Sequence, residues 1–165
     1  MVDITDRDIR RLTRTLLGAV LVLVTYWALW AISRSTVASA HTTAYYDFED
    51  AFPVADAWLG ACALLAVRAA RTARPTTLLW TLVGGGSGVY LAAMDVLYDL
   101  EHGVYTSGGG GIIELLINLI TVSVSVWTLR WGWLRRCTIL SLASRGGGTD
   151  HHGTGPDGPG SIRRG

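Results

Sequence analysis

The sequence predicts an all-α protein, a four-transmembrane-helix bundle with both termini on the cytoplasmic side and a disordered Gly-rich C-terminal tail. Three observations carry that prediction. Four apolar stretches, residues 16–33, 54–70, 77–97 and 112–134, each approach the ~20 residues that a ~30 Å hydrocarbon layer requires. Of the 14 basic residues, all arginine, every one but Arg34 falls before the first stretch, around the loop between the second and third, or at and beyond the end of the fourth. Asp47, Glu49, Asp50, Asp56, Asp95, Asp99, Glu101 and Glu114 lie at the opposite ends. Positively charged flanks are retained in the cytoplasm, which puts the two acidic loops outside. The last segment, 146–165, is dominated by Gly, Pro, Asp and His and has only Ile162 to bury, so it reads as disordered.

Composition leaves room for one membrane domain, residues 1–145, and no second one. The net charge of +1 conceals the asymmetry between the two sides. The arginine side suits anionic membrane lipids, each juxtamembrane arginine contributing roughly 1 kcal/mol, and a nucleic-acid partner has no support. Arginine without lysine reads as a GC-rich genome, and the expected location is a bacterial plasma membrane. Cys62 belongs near mid-bilayer and Cys137 just past the fourth span, too far apart for a bridge. The absence of a CxxC pattern argues against a disulfide oxidoreductase and a thiolate zinc site.

Taken in order, residues 1–15 read as a short interfacial helix capped by Asp3 or Thr5 and leading into the first span. Its arginines, the apolar core behind them and Ala38-Ser39-Ala40 have the order of a signal peptide. The core is long, however, and carries Tyr26, Trp27 and Trp30, which fit a membrane-interface belt, so the segment is read as a retained span. Cleavage after Ala40 is the alternative and would leave three spans. Residues 34–52 read as an aromatic and acidic external loop. Pro53 then sits in the first turn of the second span, where its missing N–H does no harm. The short loop around Pro75 makes spans two and three antiparallel neighbours. The loop 101–111 ends in four glycines and reads as mobile, and Trp127, Trp131 and Trp133 read as the inner aromatic belt. Tyr46-Asp47-Phe48-Glu49 and Tyr98-Asp99-Leu100-Glu101 echo one another, which is read as coincidence.

Chemistry concentrates on two helical stripes. In the third span Gly84, Gly88, Ala92, Asp95, Asp99 and His102 recur at steps of four or three, small at mid-membrane and charged at the outer end. Gly84 and Gly88 suit close helix packing, whereas the run Gly84, Gly85, Gly86 with Gly88 also suits a bend or unwound turn, each interior glycine costing ~1 kcal/mol relative to alanine. In the fourth span Glu114, Asn118, Thr121 and Ser125 form the facing stripe, so the two together predict a polar seam. Asp56 and Glu114 are placed in first helical turns, where the macrodipole favours negative charge. Asp95, Asp99 and Glu101 stand at a helix C-terminus, where it does not, so they are solvated, protonated or offset by a bound cation.

The ligand-pocket candidates are therefore Asp56, Asp95, Asp99, His102, Glu114 and Asn118. A divalent cation is the expected cofactor, with Asp95, Asp99, His102 and Glu114 as its ligand set of carboxylate oxygens and imidazole. No phosphate loop, Ser-His-Asp order or HExxH occurs. The leading expectation is a small integral membrane protein with an outward-facing acidic pocket that binds a cation or small ligand, or serves as an accessory subunit of a membrane complex. The alternative is a small membrane enzyme acting on a lipid or lipid-linked substrate by carboxylate and histidine acid–base chemistry. A transporter protomer comes third and would need homo-oligomerisation to enclose a path.

Overall fold

A computed structural model describes residues 4–38, 41–106 and 108–146, all of whose regular elements are helical. The expected tail lies outside the described residues apart from Gly146, as do Ser39 and Ala40 of the signal-peptide alternative. The elements are α1 (Asp6–Ile32), α2 (Arg34–Val37), α3 (Thr43–Glu49), α4 (Phe52–Arg71), α5 (Thr76–His102), a 3-10 turn (Val104–Thr106), α6 (Gly109–Leu134) and α7 (Arg136–Gly146). Four of the helices are long and apolar enough to cross a membrane. Their outward faces carry bare leucine, isoleucine and valine, such as Leu21, Val22, Leu116 and Ile120, a surface that water does not tolerate over so large an area.

The amino-terminal helix is one element with the first span. Thr5 caps it: its Oγ1 accepts from Asp8 N at 3.2 Å while the Asp8 carboxylate accepts from Thr5 N, so two otherwise orphaned N–H groups are satisfied reciprocally. Asp8 also pairs with Arg135 at 2.7 Å, which ties the start of α1 to the end of α6. Around that tie Leu12 and Leu16 pack with Ala66, Val67, Ala70, Trp131 and Ile139 and close the arginine-rich end of the bundle.

Neighbours in sequence are neighbours in space. The order is α1 against α4, α4 against α5, and α5 against α6, with α1 and α6 meeting only slightly. Glycines set the spacing of α5. A Cβ added at Gly84 would stand 3.0 Å from the Cys62 Cβ on α4, whereas one at Gly85 would stand 2.7 Å from Leu129 on α6. Successive helical residues point about 100° apart, so adjacent glycines serve two different neighbours. Gly88 faces Ser125 on α6 with no room for a side chain, and Gly86 faces open space. The helix runs through all four glycines without a break.

The loops hold more structure than expected. Residues 34–52 contain α2 and α3, and Tyr45 and Glu49 of α3, four apart and hence on one face, are both buried. Gly103 ends α5 in the left-handed conformation (φ 66°), and the following 3-10 turn buries Val104. Three of the four glycines expected to be mobile, Gly109–Gly111, form the first turn of α6, with Gly111 wedged against the backbone of Val104 and Tyr105.

Candidate functional site: a carboxylate cluster at the head of a cleft

The end of the bundle opposite the Asp8–Arg135 tie gathers the acids. Oxygens of Glu49 (α3), Asp95 (α5) and Glu114 (α6) all lie within 4.8 Å of one another, with Glu49 only 6% and Glu114 5% exposed. Three elements distant in sequence supply them. Glu49 closes α3, which folds back over the bundle. Asp95 projects from the α5 stripe four residues before Asp99. Glu114 is the sixth residue of α6 and Asp56 the fifth of α4, so both stand just past the first turns in which the sequence placed them.

Tyrosine and tryptophan donors lie against these carboxylates. Tyr26 Oη donates to Glu49 Oε2 at 2.9 Å, Trp27 Nε1 to Asp56 Oδ2 at 2.9 Å, and Tyr45 Oη reaches Glu114 Oε2 at 3.4 Å. Trp30 Nε1 donates to Asp50 at 3.3 Å. Tyr26, Trp27 and Trp30 thus turn inward instead of forming the lipid-facing belt that their positions suggested: for Glu49 and Asp56 a carboxylate taken out of water without donors costs more than an aromatic ring leaving the interface, while Trp30 packs with Tyr45 and Val104 beside the exposed Asp50. At this end Arg34 is already paired with Asp50 at 3.0 Å on the exposed surface.

Of the sequence-derived pocket candidates, Asp95 and Glu114 meet in the cluster, and Asp56 lines the same cleft. Asp99, 1% exposed, accepts from Asn118 Nδ2 at 2.9 Å, and the same amide donates to Tyr105 Oη at 3.0 Å. Burial and the nearby Asp99 push the Tyr105 phenol up to about 12, so it stays protonated at neutral pH. His102 is exposed, its Nδ1 2.9 Å from the Tyr98 carbonyl of its own helix and its ring stacked on Tyr98 at 4.0 Å. Glu49 was not among the candidates. A clue in the sequence is Thr42 followed by Tyr45 and Glu49, a side-chain cap and one helical face within a segment too short to show periodicity.

Below the carboxylates runs a cleft of about 390 Å³, lined by α1, α4, α5 and α6. Its walls are mostly apolar, with Leu23, Leu59, Ala63 and Val124 among them, and its floor lies near Leu16, Ala66 and Thr128. Val22 of α1 and Ile120 of α6 both line it and are largely exposed, so it opens sideways through the gap between those helices. From the level of Glu114 to that of Thr128 it spans about 21 Å, 14 residues at 1.5 Å each.

Electrostatics limits what the head of the cleft can hold. Two like charges 4 Å apart repel by about 4 kcal/mol at an effective dielectric of 20, and three carboxylates multiply that repulsion. Protons or a bound cation must offset it. Oxygen donors alone suit a hard divalent ion such as calcium or manganese, or an ammonium group. Comparison of the chain with family models, curated proteins and solved structures finds no match to any of them.

Proposed function

We propose that this is a multi-pass protein of a bacterial plasma membrane that binds a cation at the outer end of its bundle, through Glu49, Asp95 and Glu114. The observation that carries the reading is the convergence of three carboxylates from three helices within 4.8 Å, two of them buried, with the Tyr26 and Tyr45 hydroxyls among their neighbours. Wild-type protein in detergent is expected to melt at higher temperature with one or more of calcium, manganese, zinc or ethylammonium. A ligand at 100 times its dissociation constant stabilises by ~2.7 kcal/mol. Glu114→Gln keeps the shape of the side chain and should abolish the shift. A wild type indifferent to every cation would refute the reading.

Both termini are placed in the cytoplasm by the arginine asymmetry, so the acidic end faces outward. Cys137 is exposed at the arginine-rich end and Cys62 is buried. An impermeant thiol reagent should therefore label Cys137 only after lysis, and an added Thr106→Cys in intact cells. Labelling of Cys137 in intact cells would contradict this orientation. The sideways opening of the cleft also supports the second reading, a membrane enzyme on a lipid-linked substrate with Asp95 and Glu114 as acid–base groups. Turnover of such a substrate, lost in Asp95→Asn, would favour it.

A further inference from the structure

The carboxylates and the cleft beneath them make a single amphipathic cavity, and its two parts together restrict what fills it. We propose that it holds a single-tailed amphiphile with a primary ammonium head, drawn from the bilayer through the gap between α1 and α6. The proposal rests on the cation reading above and names the class of cation.

The head follows from the donors and acceptors. A primary ammonium has three N–H donors, and at about 2.8 Å from its nitrogen three tetrahedrally placed acceptors stand about 4.6 Å apart. Glu49, Asp95 and Glu114 offer three oxygens within 4.8 Å of one another. Tyr26 and Phe52 line the same cavity, and the Tyr26 hydroxyl donates to Glu49 at 2.9 Å. Among the described residues no arginine lines the cleft, so a phosphate would lie near carboxylates without a cationic partner, which disfavours an aminophospholipid as the occupant.

The tail follows from the shape. Below Asp56 the cleft is mostly apolar, with Thr121, Ser125 and Thr128 as polar points on the α6 wall, and it is open to lipid along one side. It is also blind: the cluster of Leu12, Leu16, Ala66 and Trp131, with the Asp8–Arg135 pair beyond it, closes the gap before the arginine-rich end. A partner's transmembrane helix, 10–12 Å across with its side chains, would have to continue past that floor. An alkyl tail can end there. The volume of about 390 Å³ falls within the ~300–1,000 Å³ usual for small-molecule sites.

The test compares decylammonium, ethylammonium and decyl sulfate on the full chain in phosphatidylcholine nanodiscs, with partitioning into empty nanodiscs subtracted. Decylammonium is expected to bind at least tenfold more tightly than ethylammonium, and decyl sulfate not to bind. Gly18→Leu should erase that advantage while leaving ethylammonium unchanged, because Gly18 lines the cleft and a Cβ there meets nothing within 4 Å. Thr121→Leu, on the opposite wall, should do the same and guards against a folding defect in the first variant. Glu114→Gln should weaken both amines. Ethylammonium or metal binding with no gain from the tail, a gain that survives both leucines, or equal binding of decyl sulfate or phosphatidylethanolamine would overturn the amphiphile while leaving the cation reading intact. Binding of no cation of any kind would remove both.

Discussion

Gly88→Leu should lower the stability of the bundle by about 3 kcal/mol, the upper end of the usual cost of overpacking, because its new side chain is directed at Ser125 of α6, where there is no room even for a Cβ. Gly86→Leu is the matched control. It lies in the same helix with the same gain in helix propensity, yet a Cβ there meets nothing within 4 Å, so its melting temperature should equal or slightly exceed that of the wild type. Equal losses at both positions would mean that the glycine run is needed for backbone freedom, as an unwound turn would require, and not for helix approach. The contrast matters for the site because α5 carries Asp95 and Asp99, and its distance from α6 sets how closely Asp95 and Glu114 can come.

Asn118→Leu should cost about 2–3 kcal/mol, since it takes from Asp99, 1% exposed, the amide that donates to it at 2.9 Å. Much of that loss is the cost of a buried carboxylate left short of donors. The double variant Asn118→Leu/Asp99→Leu should therefore recover a good part of it, replacing a polar pair by apolar groups of similar size. Melting curves of the wild type, both single variants and the double form a cycle whose coupling should exceed 1 kcal/mol. Additive losses would mean that the two residues act independently, and the polar contact between α5 and α6 would then be incidental.

The sequence made the spans legible because length and apolarity are the two properties that a bilayer demands, and each span appears among the long helices to within a turn or two. The exception is α1, in which the interfacial lead-in and the first span form one helix from Asp6, capped by Thr5, one of the two caps read from the sequence. The seam between the third and fourth spans was legible as two stripes at helical spacing, and Gly88 against Ser125 and Asp99 against Asn118 lie along it. Harder to see was anything that depends on a short segment folding back. The seven residues of α3 give barely two turns of pattern, so Glu49 read as part of a polar loop although it is buried beside Glu114. Likewise Trp27 and Trp30 have the position of an interface belt, and the half-buried Asp56 and the nearby Asp50 draw their N–H groups inward. Where acids are buried, aromatic residues with a polar edge are as readily their donors as anchors for lipid.

The claim that Glu49, Asp95 and Glu114 together hold a cation is tested most directly by native mass spectrometry of the detergent-purified protein after incubation with calcium, manganese, zinc or ethylammonium. The wild type should retain one cation per chain for at least one of these, and Glu49→Gln/Glu114→Gln, which removes two of the three charges, should retain none. A wild type that carries no cation, or a double variant that carries as much as the wild type, would contradict the account.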